Sequence, residues 1–433
     1  MIKTTHRDVF TALAANVKRW LQRRVVRVVV VGLMRWLFLS FGLLLLAFAL
    51  LTVVRAWNTT VWKMAIIAGE YGHYFGLLGI VVICGIVAHA TVMESGGGKL
   101  HWWLSGGAVV TTLAATVLLF SPSVLAAMIG QRLPAKLAAA FGGRPARSQV
   151  VDFGEMFWRR PAVIEVPSTS HVFAHTGTAD ALALEFYRPR DPAARNFPCV
   201  VVVHGGGWDS GDNTQLAEFN HWLAGQGYGV AAISYRLAPA HPWPAQREDT
   251  LAAIDWLKTH ASELGLDPTR LVLMGRSAGA QIASAVAYGV PDPAVRGVIG
   301  LYGVYDMAFV WSISREDDVL NSVKLMNQYL GGEPTATNQA AYDSASAQGL
   351  VDPRQTPPTL LMHGTIDTLC WVKHSQRLSA RLQEAGVPQA LIELPWAVHA
   401  FDYNLHGPGG QLTTYAVASF LAAAVGGENQ LDR

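Results

Sequence analysis

The chain has 433 residues, 51% of them hydrophobic, with 33 Lys and Arg against 31 Asp and Glu. That length accommodates one large domain plus an extra module, and the near-neutral balance, with no basic stripe in the second two-thirds, excludes nucleic acid as a partner. The three cysteines, Cys84, Cys199 and Cys370, have no metal-type or redox-type spacing; Cys84 in an apolar run and Cys199 at a strand start read as small buried hydrophobes.

The apolar excess sits in the first third. Residues 1–31 are basic, carrying Lys3, Arg7, Lys18, Arg19, Arg23, Arg24 and Arg27. Three apolar runs follow, at about Gly32–Val54, Tyr74–Met93 and Leu104–Ile129, each near the 18–25 residues that cross a bilayer. A signal peptide accounts for the first run alone. Pro122 in the third run is tolerated in a membrane helix. Three spans are therefore expected in an N-terminal membrane module, residues 1–130, of an integral protein of the plasma (inner) membrane. The basic N-terminus points to a cytoplasmic start, which puts the rest of the chain outside the cytoplasm; Arg132, Lys136, Arg144, Arg147, Arg159 and Arg160 pull the other way, but long domains cross largely regardless of charge. Ionisable residues in or near the spans are few (Arg35, Glu70, His73 and His89), so anchoring is the simplest role for the module.

Residues 131–162 read as a juxtamembrane linker. Its Phe153, Met156, Phe157 and Trp158, beside Arg159 and Arg160, suit either a membrane interface or a domain surface. From Val163 to the end the texture becomes strands alternating with helices. Strands are expected at Ala181–Tyr187, Cys199–Val203, Val230–Ser234, Leu271–Met274, Val298–Tyr302, Thr359–Met362 and Ala390–Leu394, and helices at Leu216–Gln226 and Asp249–His260. Short apolar strands separated by helices imply an α/β domain with a mostly parallel sheet covered on both faces. Residues Asp306–Gln355 interrupt the alternation and read as a helical insertion.

The chemistry centres on Leu271-Val272-Leu273-Met274-Gly275-Arg276-Ser277-Ala278-Gly279. A buried strand, a Gly-x-Ser-x-Gly turn and a helix-forming run make a nucleophile elbow, with Ser277 on strained backbone and oriented N–H groups beneath it. A serine nucleophile needs a base, an acid that orients the base, and donors for the oxyanion. In this strand context the acid and then the base follow the serine in the chain. Asp367 lies just past the strand Thr359–Met362, where a site belongs in an open parallel sheet. His399 lies in the loop after the next strand. An oxyanion hole takes the N–H of Ala278 and groups from the loop after an earlier strand, here His204-Gly205-Gly206-Gly207-Trp208. A phosphate-binding loop would want a Lys followed by Ser or Thr, which is absent.

These motifs carry a resemblance. From about Val163 onward the chain resembles the α/β-hydrolase fold, specifically the hormone-sensitive-lipase-like carboxylesterases and acetyl-esterases. The matching features, in order, are His204-Gly205-Gly206-Gly207-Trp208, Tyr235-Arg236-Leu237-Ala238-Pro239 with His241-Pro242-Trp243-Pro244, Gly275-Arg276-Ser277-Ala278-Gly279, and Asp367 with His399. The resemblance implies a triad of Ser277, Asp367 and His399, oxyanion donors Gly206, Gly207 and Ala278, and a structural role for the Tyr-Arg-Leu-Ala-Pro segment. Two positions depart from the common pattern, Arg276 and Ala280. They resemble the branch that holds small acetyl-esterases, kynurenine formamidases and membrane-associated prenylcysteine methylesterases.

The expectation is a membrane-anchored serine hydrolase that cleaves small-molecule or lipid-linked carboxylic esters through an acyl-enzyme, with no metal or organic cofactor. Two alternatives use the same scaffold. One is acyl transfer to, or deacetylation of, a cell-envelope lipid or glycan. The other is a non-catalytic receptor, as in the gibberellin receptors that resemble this family; those lack the histidine, whereas Ser277, Asp367 and His399 all stand here. Trp208, Trp243, Trp311, Trp371 and Trp396 either line the pocket or pack the core. The sequence gives no oligomeric state.

Overall fold

The computed structural model describes residues 6–92, 99–142, 149–159 and 161–426. Lys3, Met93, Arg144, Arg147 and Arg160 lie outside the described residues. The chain divides into two compact units, residues 1–50 with 72–120 and residues 51–71 with 121–433. Three long helices open it: α1 (His6–Ala49), α2 (Thr59–Val92) and α3 (Lys99–Phe141). Stretches long and apolar enough to cross a membrane run over Val29–Thr52, which takes in the end of α1 and the turn after it, Thr59–Thr91 in α2 and Trp102–Phe141 in α3.

In the first unit the helices approach through small residues, as helices in lipid do. Leu45 and Ala49 of α1 pack with Ala115 and Leu119 of α3. A Cβ at Gly42 would collide with the Thr111 hydroxyl, and one at Gly79 with the Thr116 hydroxyl. Cys84 is exposed rather than buried, so an apolar run does not by itself imply a protein interior.

The second unit begins earlier than the expected boundary at 130. It takes in the connector 51–58, the first turns of α2 and the last turns of α3. Residues 131–141, expected in a linker, continue α3 through Pro134 and bury Leu133 and Leu137. Their apolar positions pack on protein instead of lipid, which composition cannot distinguish. The remaining linker forms a short helix α4 (Phe153–Phe157), capped by Asp152. Of the apolar side chains in this segment, Trp158 is 73% exposed whereas Met156 is fully buried.

The rest of the second unit follows as β1 (Ser168–Ala174), β2 (Leu182–Tyr187), β3 (Phe197–Val203), α5 (Ala217–Gly225), β4 (Gly229–Ile233), α6 (Ala245–Thr259), α7 (Ala261–Leu264), β5 (Leu266–Arg276), α8 (Ala278–Gly289), β6 (Val295–Leu301), α9 (Met307–Ile313), α10 (Ser322–Leu330), α11 (Gln339–Ala345), β7 (Thr359–Gly364), α12 (Lys373–Glu384), β8 (Gln389–Leu394) and α13 (Pro408–Val425). The strands form one eight-stranded sheet in the order β1-β2-β4-β3-β5-β6-β7-β8. Strand β2 is antiparallel to both its neighbours and the others are parallel. Successive side chains of a strand leave opposite faces. Accordingly Val201 and Leu273 join one core with α6 and α8, while Val202 and Met274 join the other with α5 and α13. The insertion after β6 is helical, as expected, and is built from α9, α10 and α11. The missed strand β1 is an edge strand of mostly exposed residues, so no apolar alternation announces it.

Candidate active site

Strands β3, β5, β7 and β8 run parallel, and the segments after their carboxyl ends hold His204, Ser277, Asp367 and His399. That edge of a parallel sheet is where loops converge on a ligand. Ser277 joins β5 to α8 at φ 53°, ψ −121°, a strained conformation for a residue with a side chain. Close packing enforces it. A Cβ at Gly275 would strike the Gly279 carbonyl, and one at Gly279 would strike the Val203 carbonyl. The Ser277 N–H is tied to the Leu301 carbonyl at 2.9 Å.

Asp367 and His399 are in direct contact, with His399 Nδ1 2.7 Å from Asp367 Oδ2. The other carboxylate oxygen accepts the backbone N–H groups of Leu369 at 2.8 Å and Cys370 at 3.0 Å. His363 stands 3.5 Å from Oδ2. Burial pushes this carboxyl up, but the histidines' charges and hydrogen bonds outweigh it, so Asp367 stays well below the usual carboxylate range and ionised. With Nδ1 engaged, His399 presents Nε2 as its free ring nitrogen. Among the described residues no hydrogen bond joins the Ser277 hydroxyl to that nitrogen; such contacts commonly tighten only when substrate binds. The hydroxyl instead meets the Cys370 thiol, whose own ionisation burial and the Asp367 charge push far up.

The glycine loop after β3 lies against the nucleophile. A Cβ on Gly205 would stand 3.2 Å from Ser277 Cβ. Gly206 and Gly207 adopt φ of 123° and 60°, which only glycine takes readily. Among the described residues, neither of their N–H groups donates to another backbone group, and Ala278 is the first residue of α8, whose N–H has no partner within the helix. The loop is braced from outside: Gly205 donates to Gln215 Oε1 at 2.8 Å, and His204 stacks on Tyr235 with centroids 4.1 Å apart. Tyr235 also donates to the His204 carbonyl at 3.1 Å, and Arg236 bonds Asp249.

Asp402 and Tyr302 escaped the sequence reading, as did the place of Cys370 beside the serine. Arg276 is buried and pairs with Asp402 at 2.6 Å. Tyr302 donates to the same carboxylate at 2.6 Å, and its ring lies 4.4 Å from that of His399. A charge inside an elbow signals a buried partner somewhere, but no spacing identifies Asp402 as that partner. Cys370 was read for disulfides and metals, not as a neighbour of the serine. Of the tryptophans, Trp208, Trp243 and Trp396 pack the interior, whereas Trp371 is 37% exposed. The assembly of a strained serine, an imidazole oriented by a carboxylate, and unengaged N–H groups is suited to acyl transfer.

Residues 184–382 match the BD-FAE family. The chain is 29% identical over 297 residues to the probable carboxylic ester hydrolase LipM of Mycobacterium tuberculosis, covering 61% of this chain and 67% of the relative. Esterase LipC of the same organism is 28% identical, with 57% and 63% covered. Esterase LipQ is 26% identical, with 71% and 77% covered. Among solved structures, a bacterial heroin esterase superposes with a TM-score of 0.54 at 24% identity, covering 61% of this chain and 87% of that one. EstE1, a carboxylesterase from a metagenomic library, gives 0.51 at 21%, covering 70% and 98%. At those identities the structures speak for the fold, which is that of the α/β-hydrolases.

Proposed function

We propose, from the premise that this chain is an α/β-hydrolase and a carboxylic ester hydrolase, that Ser277, His399 and Asp367 are its catalytic triad and that helices α1, α2 and α3 anchor it in a membrane. His399 takes the Ser277 proton as the hydroxyl oxygen attacks the ester carbonyl. The N–H groups of Gly206, Gly207 and Ala278 hold the oxyanion of the tetrahedral intermediate. His399 then gives its proton to the leaving alkoxide, and water, activated by the same imidazole, releases the acid. Asp367 holds the imidazole by Nδ1 and stabilises its charged form. The single observation that carries the reading is the 2.7 Å contact between His399 and a buried Asp367 beside the strained Ser277.

For the substrate, the reading is an apolar or lipid-linked ester. The connector 51–58 folds with the catalytic part, where Arg55 stands over the Trp371 ring at 5.4 Å and Trp57 is 66% exposed. On this reading an ester lodged in the bilayer reaches the catalytic part by way of this connector. The test is hydrolysis of p-nitrophenyl esters across acyl lengths by the purified full chain, alongside the Ser277→Ala variant. We expect Ser277-dependent turnover that rises with acyl length. Turnover that survives Ser277→Ala would overturn the triad, and activity confined to short soluble esters would overturn the substrate class.

A further inference from the structure

The loop between β8 and α13, residues 395–407, carries His399 at its centre and is held by a helix that contributes nothing to the chemistry. Trp62, in the first turn of α2, donates its indole N–H to the His399 backbone carbonyl at 3.0 Å, and the two rings lie 6.4 Å apart. Glu70, two turns further along α2, is 1% exposed. Its carboxylate accepts the Gly409 N–H at 2.8 Å and the Trp396 indole N–H at 3.4 Å. Its carbonyl accepts the Asn404 side-chain amide at 3.1 Å.

The sequence around His406 is shaped for that carboxylate. A Cβ at Gly407 would stand 2.5 Å from one Glu70 oxygen, and a Cβ at Gly409 would stand 2.7 Å from the other. Helix α13 has 18 residues and no side-chain cap of its own, since Gly407 occupies the N-cap position. Its first N–H groups need an acceptor. Glu70 supplies one for the Gly409 N–H. Trp62 and Glu70, eight residues apart, lie near one face of α2, so one helix grips the loop at His399 and again at the start of α13. The loop needs such a grip, because Ala400, directly after the base, sits at φ 66°, a conformation that surrounding structure must maintain.

We propose that Trp62 and Glu70 are positioning residues for His399, so that the rate of ester hydrolysis depends on the docking of α2. The proposal rests on the reading of Ser277, Asp367 and His399 as the triad. Asp367 fixes the imidazole at Nδ1, and Arg276 and Tyr302 hold the loop further on at Asp402, but neither fixes the backbone at His399 itself, and a displacement of about 1 Å in a reacting group can cost about 100-fold in rate. Trp62 fixes that backbone at the residue itself, and Glu70 fixes the helix into which it runs.

The experiment uses the full chain in detergent, with active sites counted by an organophosphonate that labels Ser277. Trp62→Phe keeps the ring and removes the donor. We expect kcat per titrated site to fall about tenfold with KM within about twofold, and phosphonylation of Ser277 to slow in parallel. Glu70→Gln retains an oxygen for the Gly409 N–H and keeps most of kcat, while Glu70→Ala loses at least as much as Trp62→Phe. A Trp62→Phe enzyme with fewer titratable sites but wild-type kcat per site would make the contact merely structural and overturn the proposal. So would equal loss in Glu70→Gln and Glu70→Ala at wild-type Trp62→Phe activity. Should Glu70→Ala not fold, Trp62→Phe and Glu70→Gln decide between them. A wild type without Ser277-dependent turnover would instead remove the triad reading beneath the inference.

Discussion

A guanidinium beside a nucleophilic serine is out of place unless something neutralises it. Arg276 has Asp402, and Asp402 has Tyr302 as well. Burial weakens the charged form of this arginine, but the Asp402 and Tyr302 interactions more than offset that and keep it protonated. Removing one partner of such a pair strands a buried charge, at a cost of about 3–5 kcal/mol, whereas replacing both by apolar groups is far milder. Asp402→Ala is therefore expected to lower stability in chemical denaturation by that amount, and Arg276→Met with Asp402→Leu to recover more than half of it. Equal losses in the single and double variants would show that the pair is not the cause. His374 is another buried titrating group, packed 5.1 Å from the Phe309 ring. Burial, then the neighbouring His363 charge, pull its pKa from 6.5 down to about 3, against opposing pulls from Asp306 and Asp367. The unfolded chain thus binds a proton that the folded chain refuses. Stability from this group is complete above about pH 6.5 and declines as pH falls toward 3, with a slope of up to about 1.4 kcal/mol per pH unit. His374→Asn should flatten the fall in melting temperature between about pH 6 and 4; an unchanged slope would exclude His374 as its source. The residues of the proposed triad could be named at this scale because each of them follows an apolar strand. Asp402 and Tyr302 were not, because their roles depend on which loops face each other across the sheet edge.

At the scale of elements, Gln281 shows how the helix after the elbow organises its surroundings. Its side-chain oxygen accepts the Trp208 indole N–H at 2.9 Å and the Tyr329 hydroxyl at 2.9 Å, and its amide donates to the Ala345 carbonyl at 2.8 Å. One buried residue of α8 thereby joins the glycine loop to α10 and α11 of the insertion. Gln281→Leu leaves two buried donors and a carbonyl unsatisfied, each worth about 1–3 kcal/mol. The expected result is faster proteolysis within residues 306–355, together with a higher KM as the pocket wall loosens. Cleavage at the wild-type rate would mean that the insertion is held by its apolar contacts alone. The insertion's existence was readable from the missing strand signals, and strand spans were readable to within a few residues. The ends of the long helices were not. Along α2 and α3 apolar residues are exposed in one part and packed on protein in another, and hydropathy is blind to that difference.

For the whole molecule, the proposed anchoring raises the question of the side on which ester hydrolysis takes place. The connector 51–58 and the last turns of α3 fold with the catalytic part, which is what three crossings require: the first helix must emerge where the second begins and the third ends. The basic residues before Gly32 favour a cytoplasmic N-terminus, so three crossings place the sheet outside the cytoplasm. The competing cluster Arg132 and Lys136 belongs to the part of α3 that folds with the sheet, and Lys136 donates to the Leu391 carbonyl at 2.5 Å. A lysine engaged on its own domain is weak evidence for cytoplasmic retention of that domain, so we expect the N-terminal charges to dominate. The measurement is labelling of intact cells with a membrane-impermeant maleimide. Position 383, exposed near the end of α12, should react as Gln383→Cys without permeabilisation, and position 16, exposed on α1, should react as Asn16→Cys only after it. The reverse pattern would put the triad in the cytoplasm and direct the search for its ester to the inner leaflet. Reaction of both positions in intact cells would break the three-crossing topology itself, and with it the argument that the connector brings bilayer-lodged esters to Ser277.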